Sequence, residues 1–144
     1  MGNIIQFSTG AVEYDINGVK VMLNPTDLAF VERVFNTFDE MDKMQEEYQA
    51  RIEKAGEDTT AVFGIFHELE DKMRGMVNDV FDNGDMCTQI FGRVSVLAMS
   101  DGLPLWANLM LALIDEMDVA FAREKKATNP RIKKYTAKYE NRKK

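Results

Sequence analysis

Two short runs near the start alternate apolar with charged or polar residues, Val12-Glu13-Tyr14-Asp15-Ile16 and Val19-Lys20-Val21-Met22-Leu23, with Asn17-Gly18 between them. A period of two puts alternate side chains on one face of a strand. Asn-Gly supplies the two positive-φ residues that a tight hairpin turn requires. The pattern predicts a β-hairpin over residues 12–23. An isolated hairpin is marginal in water, so this one must lie on something. Residues 1–10 show no comparable pattern and are expected to fray.

After Asn24-Pro25-Thr26-Asp27, a stop and a helix entrance, the period becomes helical. Leu28, Val31, Phe35, Phe38, Met41, Met44, Tyr48, Ile52 and Ala55 follow at steps of three or four, and Gly56 closes the run. The helix they predict has about 28 residues and is roughly 40 Å long, more than a domain of this size needs. Its second half, Asp42 to Lys54, is mostly charged with a thin apolar stripe. That half is expected to project and meet a partner, which makes Met44, Tyr48 and Ile52 candidate protein-binding residues.

A second helix carries Val62, Phe66, Leu69, Met73, Met76 and Val80 in one stripe, widened by Phe63, Val77 and Phe81. Gly64 and Gly75 sit on its polar side. Each costs about 1 kcal/mol relative to alanine, which leaves room for a break near Gly64. Asp82-Asn83-Gly84-Asp85 predicts a turn with Asp85 as N-cap, then a short helix bearing Met86, Ile90, Phe91 and Val94. Ser100-Asp101-Gly102 predicts another turn, with Pro104 near the first turn of a last helix. That helix is apolar from Leu105 to Phe121 except at Asn108, Asp115 and Asp118, and is expected to form the centre of the core. Residues 123–144 lack large aliphatic side chains apart from Ile132. The reading is a mainly α fold: a four-helix domain over residues 1–122 with an N-terminal β-hairpin, and a flexible basic C-terminal tail over residues 123–144.

Charge sharpens the division. The chain of 144 residues has a net charge of −6. Residues 123–144 hold ten Lys/Arg and two Glu, or +8, and the rest hold eight Lys/Arg and 22 Asp/Glu, or −14. The acidic body disfavours nucleic acid. The tail remains open to three readings. It is a solubilising extension, a protein-docking arm through Arg131, Lys133 and Lys134, or a nucleic-acid arm in which Tyr135 and Tyr139 stack on bases. It can also fold back onto its own acidic helices. No basic stretch followed by an apolar run opens the chain, so no signal peptide is expected. The apolar stretch Leu103 to Leu113 is too short for a membrane span. A single cysteine, Cys87, rules out an internal disulfide and suits a reducing cytosol.

Catalytic patterns are sparse. The sequence has no phosphate-binding glycine loop and no nucleophile elbow. His67 is the one histidine, and with Asp71 it falls short of a metal site. Asp79 to Gly84 opens like a calcium loop, but Phe81 stands at the third ligand position and Ile90 at the terminal one. Cys87 reads as a small buried hydrophobe. No cofactor and no enzymatic activity are expected. Met41, Met44, Met73, Met76, Met110 and Met117 lie on apolar stripes and serve either core packing or an adaptable docking surface.

The order of segments carries a likeness. Tyr14-Asp15-Ile16-Asn17-Gly18 precedes a long acidic helix, and the next helix ends Val80-Phe81-Asp82-Asn83-Gly84. Gln89-Ile90-Phe91-Gly92, an apolar helix and the basic end Lys134-Tyr135-Thr136 to Tyr139-Glu140-Asn141-Arg142 follow. This resembles the tail-assembly-chaperone-type proteins of long-tailed bacteriophages and prophages of Gram-positive hosts, over most of residues 12–142. Asp82 departs from the family pattern, which favours glycine after the phenylalanine. The resemblance implies a non-catalytic factor in the bacterial cytoplasm that coats the tape-measure protein before the tail tube assembles. It also implies a link to the tail tube protein. A homo-oligomer stays open, as do two other functions: a virion component such as a head–tail connector or tail-completion protein, and a nucleic-acid-binding regulator.

Overall fold

Positive φ at both Asn17 (50°) and Gly18 (89°) turns β1 (Val12–Ile16) back onto β2 (Val19–Leu23), and Asp15 Oδ1 accepts the Gly18 N–H at 2.6 Å. The strands pair antiparallel with Tyr14 opposite Val21 and Ile16 opposite Val19. The alternation does what it predicts: Val21 is buried, and Ile16, Val19 and Leu23 pack against the core while Lys20 and Met22 face out. The computed structural model describes residues 2–126. Residues 2–10 form no helix or strand and expose Ile4, Ile5 and Phe7.

Asn24 ties the hairpin to the first helix. Its Oδ1 accepts from the Thr26 N–H at 2.9 Å, and its Nδ2 donates to the Thr9 carbonyl at 2.8 Å. Asp27 then caps α1 (Leu28–Ala55) by accepting from the Ala29 N–H, and Gly56 ends it at φ 61°. A cap of this kind is worth about 1 kcal/mol. Asp58 caps α2 (Thr59–Phe81), which runs unbroken through Gly64 and Gly75. The break held open at Gly64 does not occur, because Leu69, Met73, Val77 and Val80 are all buried. Packing on that scale outweighs two exposed glycines.

Asp82 terminates α2 in the left-handed conformation, and the Asn83 N–H closes back on the Asn78 carbonyl at 3.1 Å. Asn78 organises the turn into α3 (Met86–Phe91), donating to the Gly84 carbonyl and accepting from the Cys87 N–H at 2.7 Å. Asp85 stands at the N-cap position as expected, but its side chain makes no capping bond. Beyond Gly92 the chain forms a small hairpin of β3 (Met99–Ser100) and β4 (Leu103–Pro104), turned at Asp101 (φ 55°) and Gly102 (φ 80°).

The last helix, α4 (Leu105–Lys126), begins where its first donors find loop carbonyls: Leu105 N–H on Ala98 and Trp106 N–H on Val96. It takes in Arg123 to Lys126, so the helix crosses the boundary set at residue 123. Arg123, Lys125 and Lys126 fall in its final turn, where cations oppose the negative end of the helix dipole. The helix lies antiparallel to the first half of α1. Trp106 meets Phe38 and Gln45 at one end, while Leu109 and Leu113 share a cleft with Phe30 further along.

Two expectations about the core need correction. In the first half of α1 the buried residues are Phe30, Val34 and Met41, of which only Met41 belongs to the predicted stripe, while Leu28 and Phe35 are exposed. The apolar residues there support two helical phases, and the chain folds on the one that faces β2, α2 and α4 together. The last helix is also not the centre of the core. It buries Trp106, Met110, Leu113 and Met117 on one side and leaves Leu111 and Val119 in solvent.

Candidate protein-docking site

The loop before α4 determines where a surface groove opens. Glu70 on α2 accepts from the Val96 N–H at 3.0 Å and the Ser95 hydroxyl at 2.7 Å. Arg74 reaches the Gly92 and Val94 carbonyls at 3.0 and 2.8 Å. Asn108 holds the next hairpin by donating to the Ser100 carbonyl. With the loop fixed at both ends, Leu103 and Pro104 stand beside Trp106 and opposite α1.

There the Trp106 indole N–H donates to Gln45 Oε1 at 2.8 Å, and its ring meets Phe38 edge-on with centroids 5.6 Å apart. Ring pairs in this geometry contribute about 0.5–1.5 kcal/mol beyond their buried area. A groove of about 420 Å³ runs over this pair. Its floor is apolar, from Phe38 and Trp106 to Leu103 and Leu111, and Asp42, Glu46 and Glu53 of α1 line its other wall. None of these three carboxylates is ion-paired among the described residues. Leu103 and Leu111 are 38% and 36% exposed, although nothing polar requires them at the surface.

The residues chosen from sequence lie elsewhere. The second half of α1 does not project alone, because α2 covers its apolar stripe. Tyr48 is 5% exposed, Met44 packs against the core, and Ile52 is half-buried. The Tyr48 ring has the Arg51 guanidinium 4.6 Å from its centroid, and its hydroxyl accepts from Lys72 Nζ at 2.7 Å. Glu68 completes the zipper with Arg51 at 3.0 Å and Lys72 at 3.7 Å. Its hydrogen bond from Arg51, then the charges of Arg51 and Lys72, hold its carboxyl below the usual range. Lys72 is pushed up, first by Tyr48 and then by Glu68. Met44, Tyr48 and Ile52 therefore form a helix–helix seam and are not a free docking face. Arg131, Lys133 and Lys134 lie outside the described residues.

A second cleft of about 260 Å³ opens between the hairpin and α4, floored by Ile16, Phe30, Leu109 and Leu113. Tyr14 at its edge titrates above the ordinary tyrosine value, chiefly through burial and then through Glu116. Cys87 is fully buried, and burial pushes its thiol up despite Arg74 nearby, an environment that keeps a thiol inert. Among the described residues no cluster of three or more His, Cys, Asp or Glu is placed to hold a metal. No helix there is long and apolar enough to cross a membrane. Comparison with known proteins gives no matching family model, curated sequence or solved structure.

Sequence reasoning missed the groove because its apolar residues come from α1, β4 and α4. One signal was available. Phe38, Asp42, Gln45, Gln49 and Glu53 recur at steps of three or four, so a mixed polar–acidic face branches from the apolar stripe at Phe38.

Proposed function

We propose that this chain is a non-catalytic assembly factor of the phage tail-assembly-chaperone type, whose client is the tape-measure protein. The observation that carries the proposal is the open groove between α1 and α4, with an apolar floor beneath a wall of carboxylates that have no ion-pair partner among the described residues. Phe38 to Glu53 spans 15 residues of helix, about 22 Å, enough to seat some four turns of a client helix. Such a helix anchors through apolar residues at i, i+3, i+4 and i+7. The carboxylate wall selects clients with cations beside that stripe and rejects acidic ones. An acidic body also stays soluble while holding a client that aggregates alone. The resemblance in segment order points to the same task.

Co-expression with a tape-measure protein of a long-tailed phage tests the proposal. The wild-type chain is expected to co-purify with it and keep it soluble. Leu103→Lys and Leu111→Lys should each weaken capture. Both side chains are partly exposed, at 38% and 36%, and a melting temperature unchanged in each variant separates lost capture from lost folding. Absence of any complex, or capture indifferent to both substitutions, overturns the proposal.

A further inference from the structure

We propose that the chain's own C-terminal segment, residues 133–139, lies in the α1–α4 groove when no client is present, so that the protein carries its own competitor. The idea rests on the reading above only in treating the groove as a seat for polypeptide.

Chain length allows it. Lys126 ends α4, and Leu111 at the near edge of the groove lies 15 residues back along that helix, about 22 Å. An extended chain covers this distance in about seven residues at 3.3 Å each, so residues from Lys133 onward reach the groove. The return path is marked as well. Asp118, Asp115 and Leu111 follow one another along one exposed face of α4 and lead from the basic end toward Asp42, Glu46 and Glu53.

The chemistry of the segment matches the seat. Ile132, Tyr135 and Tyr139 are the large apolar residues beyond Lys126, and Lys133, Lys134 and Lys138 are interleaved with them. The groove offers an apolar floor at Phe38, Trp106 and Leu111 beside three carboxylates without ion-pair partners among the described residues. Beyond Lys126 the arm holds seven Lys/Arg and one Glu, or +6, beside a body of −12, and is attracted before any contact forms. A tether also holds it at high local concentration, so modest affinity is enough to close the groove and still yield to a client.

Zero-length carbodiimide coupling of the full-length protein tests this. Amide links from Lys133, Lys134 or Lys138 to Asp42, Glu46 or Glu53, found in the monomer, are the expected result. Charge reversal at Lys133, Lys134 and Lys138 to Glu should abolish them and shift the NMR resonance of the single indole N–H, on Trp106. Adding Asp42→Lys and Glu46→Lys to that variant should restore both coupling and resonance. Links only between chains, links only to other faces, or an indole resonance unmoved by tail reversal overturn the proposal. So does coupling undiminished at 1 M salt, where charges are screened beyond about 3 Å. None of these readouts needs a client, so a failed co-purification sinks the client reading alone, and failed coupling sinks the tail proposal alone.

Discussion

Glu70 and Arg74, one turn apart on α2, pair at 3.0 Å, and both hold the loop that leads into α4. The pair is mostly shielded, with side chains 12% and 21% exposed. This makes it more than a surface i, i+4 bridge. Glu70 accepts three donors, from Arg74, Ser95 and Val96, so removing it strands the buried Val96 N–H and leaves Arg74 Nε without its acceptor, although the guanidinium keeps the Gly92 and Val94 carbonyls. Each stranded polar group costs about 1–3 kcal/mol. Glu70→Ala is expected to lower unfolding stability by about 3 kcal/mol, read by urea titration. A loss below about 1 kcal/mol would show that water replaces the carboxylate and that the loop is held by other means.

Tyr48 separates a structural role from a binding role. Tyr48→Phe keeps the ring between α1 and α2 and loses only the Lys72 hydrogen bond, a cost of about 1 kcal/mol. Tyr48→Ala opens a cavity in the seam, and large aromatic truncations cost about 3–5 kcal/mol. Thermal unfolding is the measurement. Equal melting temperatures for the wild type and Tyr48→Ala would return this stripe to the surface, where the sequence reading places it.

The contrast between Tyr48 and Trp106 shows what the sequence could and could not reveal. The hairpin was legible because its signal is local: period-two runs and an Asn-Gly turn fix both strands and register. Both ends of α1 and the end of α2 were legible for the same reason, through Asn24-Pro25-Thr26-Asp27, Gly56 and Asp82-Asn83-Gly84. Which helical face meets which neighbour is not local. Leu28, Val31, Phe35 and Phe38 keep helical period as well as Phe30, Val34 and Met41 do, so period alone does not select the buried face. The second tight hairpin was also missed, although Asp101-Gly102 carries the turn signal, because its strands are two residues long. The clamp by Glu70 and Arg74 had no signal at all, since its partners lie 18 to 26 residues away.

The zipper around Glu68 predicts a pH dependence of defined sign. The folded state holds the Glu68 carboxyl below its ordinary value. Its contribution is therefore present above the unfolded value of about 4.3 and is lost as pH falls through the lower folded value. Lys72 is raised, so its contribution is present below the ordinary lysine value and is lost as pH rises through the higher folded one. Both groups are exposed, so salt should weaken the effect. The stability difference between the wild type and Glu68→Gln should be steady from pH 6 to 9 and shrink toward zero in acid. A difference that grew on acidification would contradict this assignment.

At the end of α2, Asp82 is unfavourable on two counts. It adopts φ 50°, a left-handed conformation that costs most L-residues roughly 1–2 kcal/mol, with Asp and Asn penalised less. It also places a carboxylate at a helix C-terminus with no basic residue in the last turn, where the dipole disfavours negative charge. Glycine removes both penalties and loses some unfolded-state restriction in return. Asp82→Gly is expected to stabilise the protein by about 0.5–1 kcal/mol. Asp82→Asn should recover only the electrostatic part, and Asp82→Ala should destabilise by about 1 kcal/mol through the left-handed strain. Denaturant midpoints of the three variants test that order. Should alanine equal glycine, the conformation at this position is not what limits the helix end, and the charge alone explains the gain.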